Sequence, residues 1–206
     1  MVAFEALKML AECHSKKIVH GDVKAANFVI SNRVEYHMFK HGTNLLPSGW
    51  LKGIDFGTSQ YTGKGRCSNK VGTPTHWAPE VFAGSYHSEA DMWSLGVTLF
   101  RLMTGRHPFW DNHEEARLKS ERDVLKGVIY STPDYTTEPW CQASPECVDF
   151  MRGLLNSNYE TRLTAESALN HPFMARHLKK QQRFGLGLFE QVVLPSTTVE
   201  AFPTAV

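Results

Sequence analysis

The sequence predicts a mainly α-helical domain in which short β-hairpins carry the chemistry-bearing residues. Three features predict it. Much of the apolar pattern is helical, above all in "ADMWSLGVTLFRLMTG". There Met92, Trp93, Leu95, Val97, Leu99, Phe100, Leu102 and Met103 run nearly all round and imply a buried helix. Two apolar, β-prone stretches, Phe28–Ile30 and Trp50–Ile54, are too short for helices. Each adjoins a polar cluster: "HGDVKAAN" runs straight into the first, and "DFG" leaves the second.

From the N-terminus, Ala3, Phe4, Leu7, Leu10 and Cys13 fall at helical spacing over residues 3–14, with Glu5, Lys8 and Glu12 expected on the solvent side. Residues 31–49 read as a polar loop or insertion between the two strands. Residues 57–76 are dense in Gly, Ser, Thr, Lys and Arg and read as a long mobile loop, with Lys64, Arg66 and Lys70 as its solvated face. After Pro79 the pattern turns helical, and Gly105 is the expected cap of the buried helix. Glu114–Val128 predicts a second, more polar helix; Pro145–Leu155 and Thr164–Leu169 predict two more. Thr164 and Ser167 form a weak capping signal, because the third residue after Thr164 is neither Glu nor Gln. Residues 175–206 hold a basic run and a Gly- and Pro-containing end, expected to be poorly ordered. No internal repeat interrupts this order.

Composition narrows the function classes. The chain has 206 residues, 42% hydrophobic and 21% charged, as in a globular domain or one lobe of a larger one. A net charge of +1 gives no electrostatic reason to expect nucleic acid as a partner. No apolar run approaches the roughly 20 residues a membrane span needs. Glu5 and Lys8 interrupt the apolar N-terminus and argue against a secretory signal. Cys13, Cys67, Cys141 and Cys147 form no CxxC pair and read as reduced thiols, so an intracellular, cytoplasmic location is expected.

The chemistry concentrates in two places: Asp22, Lys24 and Asn27, and then Asp55. A two-stranded hairpin between them would return Asp55 to the side of Asn27. The pair would then offer oxygen ligands to a hard cation such as magnesium, which takes its remaining ligands from water and phosphate. Asp22 would orient and deprotonate a hydroxyl, and Lys24 would neutralise a phosphoryl group. This is a phosphoryl-transfer constellation, built on positioning and electrostatics.

These residues lie in motifs that resemble, in order, those of eukaryotic protein kinases. "HGDVKAAN" resembles the catalytic loop HRDLKxxN, and "DFG" at 55–57 and "APE" at 78–80 follow. "VGTPTHWAPE" is similar to the end of an activation segment, "SEADMWSLGVTLFRLMTGRHPF" to the helix with a DxWSxG core, and "YETRLTAESALNHPF" to the late RxTxxxxLxHPF element. The nearest flavour is the calcium/calmodulin-dependent and plant calcium-dependent Ser/Thr kinases, although no EF-hand loop follows.

The resemblance implies a kinase C-lobe at 1–174, with a tail at 175–206, ATP and Mg2+ as cofactors and protein substrates as partners. It assigns Asp22 as catalytic base and Lys24 as stabiliser of the transferring group, in the position that favours Ser/Thr acceptors. Asn27 and Asp55 hold magnesium, and Val29 lies under the adenine ring. Thr73 bonds near Asp22 and shapes peptide docking. His20 and Phe56 stack in a buried column, Glu80 pairs with Arg162, and Asp91 binds the backbone of the catalytic loop. The plainer alternatives are that Asp22 and Asn27 cap turns, that His20 is only packed, and that His37 and His41 are solvated side chains.

Four departures from the family stand out. The β-rich N-terminal lobe, with its Gly-rich loop and strand lysine, has no counterpart before Met1. These 206 residues alone are therefore expected to show little or no kinase activity. Gly21 stands where an arginine usually pairs with an activation-loop phosphate. The loop between Asn27 and Asp55 is longer than usual, and His76 replaces a tyrosine. The alternative function is a truncated pseudokinase acting as a binding scaffold. An unrelated metal hydrolase would leave APE, DxWSxG and Arg162 unexplained.

Overall fold

The computed structural model describes residues 2–31, 49–110 and 120–175. Helix α1, Val2–Ser15, buries Ala6, Leu7, Leu10 and Cys13 on one stripe. Glu5 is buried too and accepts the backbone N–H of Gly49 at 2.8 Å. That corrects its expected place on the solvent side: a carboxylate is retained inside because it satisfies a backbone donor. Strands β1 (Ile18–Val19), β2 (Phe28–Ile30), β3 (Leu51–Gly53) and β4 (Gln60–Tyr61) form two antiparallel pairs, β1 with β4 and β2 with β3. In the second pair Phe28 faces Gly53 and Ile30 faces Leu51.

Helix α2, Pro79–Phe82, is a single turn that starts on a proline, and its brevity hid it from periodicity. Helix α3, Glu89–Thr104, is the buried helix the sequence predicts, and Gly105 closes it by donating to the Arg101 carbonyl at 2.8 Å. Helix α4, Glu121–Tyr130, covers the described part of the expected polar helix and runs past Val128. Ser120 is its N-cap, with an extended backbone and a hydroxyl that accepts the Asp123 N–H; the expected helical residues 114–119 lie outside the described residues. Helix α5, Pro145–Leu154, packs against α3, and α6, Ala165–Leu169, packs against α1. Thr164 and Ser167 build a reciprocal capping box, stronger than their identity suggested, because the serine hydroxyl accepts the Thr164 N–H at 2.9 Å in place of a Glu side chain.

The core gathers on α3, whose Met92, Trp93, Leu95, Val97, Leu99 and Phe100 are all buried. Trp93 stacks on Phe109 with ring centroids 5.3 Å apart and planes 7° from parallel. The stretch 57–76 is not the free loop its composition suggested. Cys67 and Tyr86 exchange backbone hydrogen bonds of 2.7 and 3.1 Å, and Trp77 Nε1 donates to the Val71 carbonyl at 2.6 Å. Arg66 is an anchor as much as a solvated residue: it donates to Ser85, pairs with Glu89 and lies 4.9 Å over the ring of Tyr159. The cysteines are unpaired thiols, with Cys13, Cys67 and Cys147 pushed up in pKa by burial and so less reactive. No helix among the described residues is long and apolar enough to cross a membrane. The histidines at 37 and 41, the insertion around them and the tail from 176 lie outside the described residues.

Candidate active site

Helix α3 is apolar nearly all round, yet three buried polar residues interrupt it at 91, 94 and 98, spaced for one face. Each one holds a loop. Asp91 accepts the N–H of His20 at 2.8 Å and of Gly21 at 2.9 Å, and His14 Nε2 lies 2.9 Å from the same carboxylate. Ser94 donates to the His76 carbonyl at 2.7 Å, and Thr98 to the Val23 carbonyl at 3.3 Å. One rigid helix thus fixes both the loop carrying Asp22 and the segment carrying Thr73. Asp91 was legible from its motif. Ser94, Thr98 and His14 were not, although polar residues at i, i+3 and i+7 in an otherwise apolar helix were the available signal.

Asp22, Lys24, Asn27 and Thr73 converge. Thr73 donates to Asp22 Oδ1 at 2.7 Å, and Lys24 donates to Thr73 Oγ1 at 2.9 Å. Lys24 Nζ lies 2.7 Å from Asp22 Oδ2, and Asn27 Nδ2 donates to the same oxygen at 3.0 Å and to the Asp22 carbonyl at 2.8 Å. Burial alone would push the Asp22 carboxyl up. The hydrogen bonds from Lys24, Thr73 and Asn27, with the Lys24 charge, outweigh it and hold the group below its ordinary value of 3.8.

The β2–β3 pairing returns Asp55 to Asn27, since the Ile54 N–H donates to the Asn27 carbonyl at 2.9 Å. Asp55 is exposed in the left-handed region, φ 63°, and accepts the Gly57 N–H at 3.3 Å. Asn27 spends its amide nitrogen on Asp22, and its Oδ1 is the oxygen of that amide that can act as a ligand atom. Among the described residues no three His, Cys, Asp or Glu side chains cluster as a closed metal site. Asn27 is buried and Asp55 exposed, and amide and carboxylate oxygens are donor types that magnesium accepts.

His20 and Phe56 meet with ring centroids 4.8 Å apart, and His20 is buried. Phe56 is not: it remains 44% exposed, which corrects the expectation of a column buried at both members. Val29 is 39% exposed, and Ile30 and Ile54 are also exposed, so the β2–β3 hairpin and its following turn present apolar side chains beside Asp55.

Two glycines set the close approaches. Gly21 has φ +80°, and a Cβ there would lie 2.8 Å from the Thr58 carbonyl oxygen. Gly72, φ +84°, lies against the same loop, where a Cβ would meet the Gly21 carbonyl oxygen at 2.2 Å. Further out, Arg162 and Glu80 form a buried bidentate pair, with NH2 to Oε2 at 3.0 Å. The guanidinium also donates to the carbonyls of Glu89 at 2.9 Å and Asn156 at 2.8 Å and lies 5.1 Å over Trp93. Each of its three nitrogens therefore has an acceptor, and the charge is paired, as a buried charge requires.

Comparison with known proteins identifies the family. A family model described as "Protein kinase domain" matches residues 1–174. CDPK-related kinase 7 of Arabidopsis thaliana is 37% identical over 174 residues, 84% of this chain and 27% of that protein. Calcium/calmodulin-dependent serine/threonine-protein kinase 1 of Oryza sativa subsp. japonica is 35% identical over 175 residues, 84% of this chain and 26% of that protein. Calcium-dependent protein kinase 20 of the same rice is 32% identical over 188 residues, 91% of this chain and 30% of that protein. The chain thus spans about 26 to 30% of the length of these relatives. The chain belongs to the protein kinase family, and within it resembles the calcium/calmodulin-dependent and plant calcium-dependent Ser/Thr kinases.

Proposed function

We propose that this chain contributes the base and metal side of an ATP-dependent protein Ser/Thr kinase. The observation that carries the reading is the convergence of Lys24, Asn27 and Thr73 on Asp22. Asp22 orients the acceptor hydroxyl. Held below its ordinary range, its carboxylate is ionised at neutral pH, and it takes the proton only as transfer makes the hydroxyl acidic. Lys24 neutralises charge on the transferring phosphoryl group. Asn27 and Asp55 would hold Mg2+, which when bound supplies neutralisation of the phosphate oxygens. Val29, on the half-exposed apolar hairpin, would support the adenine of ATP. Thr73 positions the docking segment, and His20, Phe56, Asp91, Glu80 and Arg162 maintain the frame. Residues 1–174 form this unit and 175–206 a separate tail.

The Gly-rich loop and strand lysine that complete such a site are not among these 206 residues. A polypeptide of these residues alone would turn over slowly, because those groups act on the transition state. Retention of Asp22, Lys24, Asn27 and Asp55 supports an enzyme over a scaffold.

The test is transfer of radiolabel from ATP to protein by the protein in its native length. Magnesium-dependent labelling of serine and threonine is expected. Labelling confined to tyrosine, or none, would overturn the reading.

A further inference from the structure

Helix α4 turns one face into the core and the other to solvent. Val124 and Val128 are buried, and a Cβ on Gly127 would lie 2.4 Å from Nε1 of Trp110, so the inner face is closely packed. Arg122, Lys126, Ile129 and Tyr130, spaced three and four apart, share the opposite face, and all four are exposed. Ile129 is 55% exposed and Tyr130 83%, the highest value of any large hydrophobic residue among those described. We infer that this face docks another protein, through an acidic segment that carries apolar side chains beside its carboxylates. Such docking is independent of phosphoryl transfer.

Charge selects the occupant. Among the described residues neither Arg122 nor Lys126 has an ion pair or hydrogen bond at its charged end. The two acids of the helix are in its first turn and are engaged: Glu121 pairs with Lys70 at 3.3 Å, and Asp123 accepts the Ser120 hydroxyl at 2.6 Å. The two cations stand one turn apart, about 6 Å along the axis, and match carboxylates at the same spacing on a partner. Arginine and tyrosine are the side chains that interfaces favour, and a tyrosine adds contact area at little cost in conformational freedom. A basic segment would bring like charges together. Residues 176–206 of this chain carry Arg176, Lys179, Lys180 and Arg183 against Glu190 and Glu200, the wrong sign for this face. A second copy docked face to face would set Arg122 and Lys126 against their own counterparts. The face lies one helix away from the segment that carries Thr73, since Lys70 bridges to Glu121 and Val124 lines the groove beside Thr73.

The test is fluorescence anisotropy of three labelled helical peptides, titrated with the native-length protein at low salt. The first carries two Glu one turn apart with Leu beside them, the second has Lys in place of Glu, and the third has Ser in place of Leu. The Glu–Leu peptide is expected to bind about tenfold more tightly than either of the others, and added salt weakens it. Arg122→Glu with Lys126→Glu turns the preference to the Lys peptide. Tyr130→Ser weakens the Glu–Leu peptide about tenfold. Lys64→Glu, the same change at an exposed cation elsewhere, leaves the preference intact. Thermal melts separate a lost preference from a lost fold. Arg122→Gln with Lys126→Gln, expected to bring the Glu and Lys peptides together, serves if the double Glu variant does not fold. Equal affinities in the native protein, tighter binding of the Lys peptide, no binding at all, or a preference indifferent to Arg122, Lys126 and Tyr130 would each overturn the inference. Two other occupants would overturn it as well. Binding to phosphatidylserine–phosphatidylcholine vesicles without any peptide preference would assign the face to a membrane, and self-association lost in Tyr130→Ser would assign it to a second copy.

Discussion

Gly21 donates its backbone N–H to Oδ1 of Asp91 at 2.9 Å, and the neighbouring His20 N–H donates to Oδ2 at 2.8 Å. A single buried carboxylate therefore clamps two successive peptides immediately before Asp22. Asp91→Ala would leave two inward-facing N–H groups without an acceptor, each costing about 1–3 kcal/mol. Urea denaturation is expected to show a loss of about 3 kcal/mol or more for Asp91→Ala. Asp91→Asn, which keeps one acceptor oxygen, should lose about half as much. An Asp91→Ala protein as stable as the native one would mean that the loop is held by something else.

The two glycines give a graded prediction. Gly21→Ala forces a side chain into the left-handed region and against the Thr58 carbonyl, and should cost about 1–2 kcal/mol or more. Gly72→Ala should cost more, because its Cβ would overlap the Gly21 carbonyl oxygen and displace the segment that aims Thr73 at Asp22. Chemical denaturation of both variants checks the order. If Gly72→Ala proves the milder, the close packing of the two segments is not what fixes the site.

Acid titration reports on Asp22. A group whose pKa is depressed on folding stabilises the native state fully above its unfolded value and loses that contribution as pH falls through the folded value. The Asp22 contribution should therefore be intact above its ordinary value of 3.8 and fade below it. Stability measured down through that window should fall less steeply in Asp22→Asn than in the native chain. Parallel curves would show that Lys24, Thr73 and Asn27 do not outweigh burial at this carboxyl.

The segment around Thr58, Ser59, Thr62 and Ser68 is pinned without a phosphate, by the Cys67–Tyr86 bridge and by Arg66 on Ser85 and Glu89. With Gly21 in place of a phosphate-binding arginine, phosphatase treatment of the native-length protein should leave its transfer rate unchanged. Arg66→Ala should lower that rate instead, because it frees the segment. A large loss on phosphatase treatment would show that another cation reads a phosphate here.

Much of this was legible before any coordinates. Asp22, Asn27 and Asp55 stood beside short β-prone runs, and hydrogen bonding across two short strands brought Asp55 to Asn27 as the spacing implied. What escaped was tertiary. Periodicity marks Glu5 as a solvent residue, and its burial is explained by partners on both oxygens, the distant Gly49 N–H and Lys8 one turn along. Composition marks 57–76 as loose, because local propensity cannot register a bridge to Tyr86 or a contact of Arg66 with Tyr159. Ser94 and Thr98 look like tolerated small polar residues until the carbonyls of His76 and Val23 are seen against them.

The most direct measurement compares phosphoryl transfer by the native-length protein with that of its Asp22→Asn variant, at saturating MgATP and a serine peptide. The amide keeps the shape and accepts from Thr73, yet it cannot take the hydroxyl proton. Transfer should fall at least about 10²-fold while the affinity for MgATP stays close to native and the melting curve, though shifted down by the lost carboxylate contacts, still shows a cooperative fold. Transfer at the native rate by Asp22→Asn would contradict the assignment of Asp22 as the base, and with it the reading of this cluster as the catalytic centre.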